Sequence, residues 1–359
     1  MEQLRNITGV LDLMIRPAFC IKDGLVAAVN RDAQRFLIQT GMSVESLLPG
    51  QEEEFRNLRD GCLYVSLLIN GQRFGASVTV QDGYQIVVIE QEADQAELNA
   101  MALAAQELRE PLSNVLAVAD QLFPVISADT PAQDQVARIN RGLFQMLRVI
   151  SNMSDAARYH QQPQGSYEVR NVTTLFDELF RQAGELIGQT GIRVEFQNLR
   201  ETIYSQVDAE KLERAVYNIL SNAVKFTPRG GIIEASLIRR NRKLYLTVQD
   251  SGTGVDPNLR GRIHTRYLRH PGIEDGRFGI GLGRVLLRSA AAAHGGTVLM
   301  EHPEGRGARI TMSMEIRQDT SGIFRTPMMK IDYAGERDHG LIELSDALPA
   351  HLYRTENVN

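Results

Sequence analysis

Three short segments carry the residue types best suited to chemistry: Asn218-Ile219-Leu220-Ser221-Asn222-Ala223-Val224-Lys225-Phe226-Thr227, Asp250-Ser251-Gly252-Thr253-Gly254 and Gly279-Ile280-Gly281-Leu282-Gly283. In the first, Asn218, Asn222 and Lys225 are four and three residues apart, so on a helix they share one face. Amide oxygens are neutral, hard ligands that suit a magnesium ion shared with phosphate oxygens, and Lys225 adds a cation for the same phosphates. Asp250 follows the apolar run Leu244–Val248. An ionised carboxylate only accepts hydrogen bonds, so it can take the exocyclic amine of adenine. Gly252 and Gly254 let the backbone turn sharply beside a flat ring. Gly279, Gly281 and Gly283 open onto a helical run, and the N–H groups of such a loop bind phosphate. Each segment alone has an ordinary reading as a solvated helix face, a strand-ending turn or a plain loop. In this order they point to bound ATP with Mg2+.

The elements that must position these residues can be read from periodicity. Residues 167–316 read as an α/β domain, with helical patterns over 173–188, 208–226 and 282–294. Strands are expected at Arg193–Phe196, Ile232–Ile238, Leu244–Gln249, Thr297–Met300 and Ala308–Met312. Helices grouped with antiparallel hairpins suggest a two-layer sandwich. A dinucleotide-binding fold would need a strand directly before Gly279, and Ile273–Phe278 does not look like one.

Residues 1–90 read as a small mixed α/β domain. Its strands at Ala18–Ile21, Gly24–Val29, Leu63–Ile69, Ala76–Val80 and Tyr84–Ile89 are separated by Asp23-Gly24, Asn70-Gly71 and Asp82-Gly83, which are hairpin signals. In residues 91–162 the apolar positions Leu98, Met101, Ala105, Leu108, Leu112, Val115, Ala119 and Leu122 alternate steps of three and four. Val136, Ile139, Leu143, Met146, Ile150, Met153 and Ala157 continue the pattern on a second helix. Such a seam is coiled-coil-like. Pro124 is expected to break the first helix, and Thr130-Pro131 to start the second. An antiparallel hairpin of this kind either pairs with a second copy as a four-helix bundle or packs on its own chain. The chain is therefore expected to be α+β and multidomain, closed by a polar tail, 317–359, whose one apolar patch is Gly340–Leu344.

A net charge of −5 without a basic run gives no footprint for nucleic acid. No apolar stretch approaches the roughly 20 residues of a membrane span, and the N-terminus lacks a signal-peptide pattern, so a cytoplasmic location is expected. Two cysteines suit a reducing compartment, and Cys20, in an apolar run, is expected to be buried.

The three segments in order resemble the ATPase domain shared by sensor histidine kinases, gyrase-like ATPases and related chaperones. His294-Gly295-Gly296-Thr297-Val298 is similar to the histidine kinase branch. The hairpin resembles that family's dimerisation and phosphotransfer domain, and residues 1–90 more loosely resemble a PAS sensor. The resemblance implies a GHKL-type (Bergerat) ATP-binding fold, a homodimer and a response regulator or other signalling partner. It implies that Asn222 is a magnesium ligand, Lys225 a phosphate contact and Asp250 the adenine acceptor. Gly252 and Gly254 would form one glycine box, and Gly279, Gly281 and Gly283 the other, with a lid at 255–278. Asn218 stands where ATP-hydrolysing relatives carry a glutamate base, and an amide cannot accept a proton.

Gln106-Glu107-Leu108-Arg109-Glu110-Pro111-Leu112 resembles the phosphoacceptor box of the family, His-Glu-Leu-Arg-Thr-Pro-Leu. Gln106 replaces the histidine and Glu110 the threonine. Glutamine has no nucleophilic ring nitrogen, so a phosphoramidate cannot form there. The first histidine of the chain is His160, roughly a hairpin length away. Ile263–Leu268 stands in place of a Phe-rich lid box, and Arg284 in place of a leucine. Three readings follow: an ATP-binding, degenerate sensor kinase acting by conformation; an active protein kinase using His160 or a partner residue; and an interaction module with a vestigial site.

Overall fold

The computed structural model describes residues 2–90, 93–126, 130–161, 166–252, 282–303, 306–317 and 337–358. An amphipathic helix, α1 (Glu2–Asp12), precedes β1 (Ala18–Lys22) and β2 (Leu25–Val29). Short helices α2 (Arg31–Gln34), α3 (Val44–Leu47) and α4 (Glu52–Asn57) lead to β3 (Cys62–Ile69), β4 (Gln72–Gln81) and β5 (Tyr84–Ile89). Asp23, Asn70 and Asp82 take left-handed φ angles of 51°, 51° and 50°, each followed by a positive-φ glycine. Those are the conformations that two-residue hairpins require, and they explain the Asp-Gly and Asn-Gly pairs. Asn30 ties this domain together. Its Oδ1 accepts from the N–H groups of Ala18 and Ala33, and its Nδ2 donates to the carbonyls of Leu11 and Arg16.

Two long helices follow, α5 (Ala93–Ile126) and α6 (Thr130–Gln161). Pro124 does not break α5, which runs on two residues further, to Ile126. The apolar seam divides into two heptad-spaced halves. Ala105, Leu112 and Ala119 are buried with Val136, Leu143 and Ile150. Leu108, Val115 and Leu122 are exposed, as are Ile139 and Met146 on α6.

The third unit comprises β6 (Glu168–Asn171), α7 (Val172–Gly188), β7 (Arg193–Gln197), β8 (Tyr204–Val207), α8 (Ala209–Phe226), β9 (Ile232–Arg240), β10 (Lys243–Asp250), α9 (Leu282–Ala293), β11 (Val298–Glu301) and β12 (Arg309–Glu315). Alternation of buried and accessible residues along β9 and β10 turns Ile233, Ala235, Leu237, Leu244, Leu246 and Val248 toward the helices. The short β6–β8 pair forms a separate small sheet. Beyond it, the C-terminal segment docks through α10 (His339–Glu343), a 3-10 turn (Ala350–Tyr353) and α11 (Thr355–Val358). Leu341, Ile342, Leu344, Leu348 and Tyr353 join the same core as α7 and α8, so this part of the tail is an integral layer of the fold.

The first and third units share one ten-stranded sheet, in the order β2-β1-β5-β4-β3-β11-β12-β10-β9-β7. Its junction is antiparallel, with Val298 opposite Tyr64, Leu299 opposite Leu63 and Met300 opposite Cys62. Cys20 and Cys62 are both buried free thiols. Among the described residues, no helix is long and apolar enough to cross a membrane.

Candidate nucleotide site

α8 begins at Asp208, whose side chain accepts from the N–H of Lys211, and it buries one side among the apolar residues of α7 and the sheet. Its other side carries Arg214, Asn218, Ser221 and Lys225 at helical spacing. Asn218 is buried, and its Nδ2 donates to the carbonyl of Arg214 at 2.7 Å. A Cβ on Gly283 would lie 2.6 Å from Asn218 Oδ1, so glycine is what lets the start of α9 approach α8 this closely. Asn222, one turn on, is exposed.

Lys225 does not face solvent. Its Nζ pairs with Asp346 of the C-terminal segment, and burial holds the ammonium below its ordinary pKa while the carboxylate opposes that shift. Asp346 also pairs with Arg148 of α6 and accepts from Ser221 Oγ at 2.8 Å. Arg214 joins the same cluster, bonding Glu343 and Asp155, with Ser151 Oγ at 2.7 Å. Glu343 is fully buried, yet the Arg214, His339 and Arg148 charges keep its carboxyl below the usual carboxylate range. The cluster thus joins α6, α8 and α10. Nothing in the polar tail sequence suggested it, because each partner lies far away along the chain.

Asp250 ends β10 in a closely fitted backbone cradle. Oδ1 accepts from the N–H of Gly252 at 2.9 Å, and Oδ2 from the N–H of Ala308 at 3.0 Å. A Cβ on Gly252 would lie 2.7 Å from Oδ1, and one on Gly307 would overlap the carboxylate. Gly307 was missed in the sequence, although Gly305-Arg306-Gly307 before a strand was a visible signal. Burial raises the Asp250 pKa, and the two N–H groups pull it back. Each oxygen keeps acceptor capacity beyond its one backbone donor.

His294, at the end of α9, is a structural residue. Its Nε2 accepts from the N–H of Asp208 at 3.0 Å, and Nδ1–H donates to the carbonyl of Ala290 at 2.7 Å. Burial pushes its pKa down to about 4. The neutral imidazole therefore links the end of α9 to the N-cap of α8. On α5, Gln106, Glu107 and Glu110 are exposed, while the neighbouring Ala105 is completely buried. Gly254, Gly279, Gly281, the expected lid at 255–278 and the side chain of His160 lie outside the described residues.

Of the residues expected to hold ATP, Asp250 is presented in a glycine-walled cradle and Asn222 is accessible, whereas Lys225 already holds a carboxylate. Comparison with known proteins gives a consistent result. Residues 207–318 match the family model described as "Histidine kinase-, DNA gyrase B-, and HSP90-like ATPase". The chain is similar to the sensor histidine kinase TmoS of Ectopseudomonas mendocina, at 29% identity over 237 residues, covering 65% of this chain and 24% of TmoS. It is also similar to the histidine protein kinase DivJ of Caulobacter vibrioides, at 28% identity over 242 residues, covering 62% of this chain and 40% of DivJ. The chain thus spans well under half of either relative. Among solved structures, full-length ShkA in complex with AMPPNP aligns with a TM-score of 0.50 and 22% identity, covering 63% of this chain and 47% of ShkA, a likeness of fold.

Proposed function

We propose, from the premise that the chain belongs to the histidine kinase family, that it binds Mg-ATP and regulates a partner by conformation rather than by transferring phosphate from its own helix. In this reading Asn222 holds magnesium, Lys225 and the glycine loop ending at Gly283 hold phosphates, and Asp250 accepts from adenine. Bound ATP would supply a transferable γ-phosphoryl group and a charge that reorganises the residues around it. The chain itself contributes positioning: Gly252 and Ala308 orient the Asp250 carboxylate, and Gly283 sets the distance between α8 and α9. Asn218 spends its amide on the Arg214 carbonyl and has no basic atom for water activation, so efficient hydrolysis is not expected.

The observation that carries the degenerate reading is Gln106. It stands exposed on an intact helix, at the position where the family's acceptor histidine would stand, beside the buried seam residue Ala105. The scaffold is kept while the nucleophile is absent. The exposed half-seam of Leu108, Val115 and Leu122 supports a homodimer through α5 and α6, with that half buried against the second copy. The strand order β2-β1-β5-β4-β3 supports a PAS-like sensor role for residues 1–90, and the family points to a response regulator as partner.

The test is incubation of the purified protein with ATP labelled at the γ-phosphate. The expected outcome is nucleotide binding without acid-labile label on the protein. Acid-labile incorporation would overturn the degenerate reading and favour an alternative acceptor.

A further inference from the structure

The pairing of Lys225 with Asp346 points to a contest for one position. Lys225 has a side chain only 9% exposed, so its ammonium has lost most of its water and requires an anion nearby. A phosphate would meet that requirement, and so does Asp346. The C-terminal segment is held for the purpose by two features of different strength. Leu341, Ile342, Leu344 and Leu348 are anchored in the core, and Glu343, with no exposed surface, is bound by Arg214. Asp346 lies between the anchored Leu344 and Leu348, but its side chain is 31% exposed, so that side chain can turn from Lys225 without dismantling the core. Its other partners, Arg148 and Ser221, stand on α6 and α8, so its departure would also loosen the seam between hairpin and ATPase unit.

We propose that Asp346 is a built-in competitor of the nucleotide: its carboxylate and an ATP phosphate exclude one another at Lys225, and binding requires the Asp346 side chain to swing away. This rests on the reading that the site takes Mg-ATP. By linkage, whatever releases the segment tightens nucleotide binding, and nucleotide in turn loosens the segment.

The experiment uses the full chain as wild type, Asp346→Asn and Asp346→Glu, each titrated with a fluorescent ATP analogue and Mg2+. Amide hydrogen exchange over 341–348 is followed in the wild type with and without a non-hydrolysable ATP analogue. If the competent state is roughly 1–10% populated, Asp346→Asn should bind about 10-fold to 100-fold more tightly, and Asp346→Glu should stay near wild type. Nucleotide should also accelerate exchange over 341–348. Equal affinity in all three proteins, with unchanged exchange, would overturn the competition and leave ATP binding intact. Binding to none of the three would overturn both readings. Should Asp346→Asn not fold, the exchange measurement on the wild type decides alone, and absence of acceleration counts against the proposal.

Discussion

Arg288 of α9 lies 4.1 Å over the ring of Tyr64 on β3 and pairs with Glu90 at the end of the first domain. The helix that follows the glycine loop is therefore clamped to the strand and exit point of the N-terminal unit. Burial lowers the pKa of the guanidinium and raises that of the Tyr64 phenol, which is itself buried while Arg288 keeps partial exposure. Replacing Arg288 by leucine removes the cation–π contact and leaves Glu90 without this partner. A loss of about 1–3 kcal/mol is expected, read as a lower urea midpoint, because the pair is only partly buried and the cation–π contact adds to it. An unchanged midpoint would show that strand pairing alone joins the two units.

His294 makes stability depend on pH in a defined window. Its folded pKa of about 4 lies below the ordinary 6.5, so between these values the unfolded chain binds the proton and the native chain does not. Stability from this residue is complete above pH 6.5 and falls as the pH drops toward 4. The full contribution is roughly 3 kcal/mol. His294→Gln should flatten the slope of stability against pH in that range relative to wild type, measured by denaturant unfolding at a series of pH values.

Glu343 is the anionic centre of the cluster that binds the tail. Glu343→Ala leaves buried Arg214 with Asp155 and Arg148 with Asp346 as their remaining carboxylates and should cost roughly 2–3 kcal/mol, whereas Glu343→Gln, which keeps a hydrogen-bond acceptor, should cost less. Thermal unfolding of the two variants checks the order. The same substitution should make residues 337–358 the first to be cut in limited proteolysis.

Val115 is 52% exposed on the outward half of the seam, one heptad from Leu108 and Leu122. On the proposed dimer through this half-seam, wild type should scatter light as a dimer and Val115→Lys as a monomer, with helical circular dichroism unchanged. Loss of helicity would mean instead that the residue supports the hairpin itself.

Much of this arrangement was legible because it depends on local signals. Asp23-Gly24, Asn70-Gly71 and Asp82-Gly83 marked their hairpins, and the amphipathic patterns of α7, α8 and α9 appear at the expected places. Asp250 does close β10 beside Gly252. What stayed hidden depends on distance. The 3-4 rhythm of α5 displayed a seam but could not reveal that Ala105, Leu112 and Ala119 face inward while Leu108 and Val115 face out. β6 and β8 are four residues each and only partly apolar, too short for a period to register. Glu343 and Asp346 read as ordinary tail acids because Arg148, Arg214 and Lys225 lie more than a hundred residues upstream. Helix α1 was overlooked although Ile7 and Leu11 form a buried face one turn apart.

The shared sheet has a consequence for any attempt to separate its halves. β3 and β11 each spend their outer row of backbone hydrogen-bonding groups on the other. Cutting the chain between the two units would turn both into unprotected edge strands, and β11 would offer Val298 and Met300, now buried, beside an open ladder. Such an edge is a template for pairing with foreign chains. Pairing with β3 therefore covers an edge that β11 would otherwise leave open.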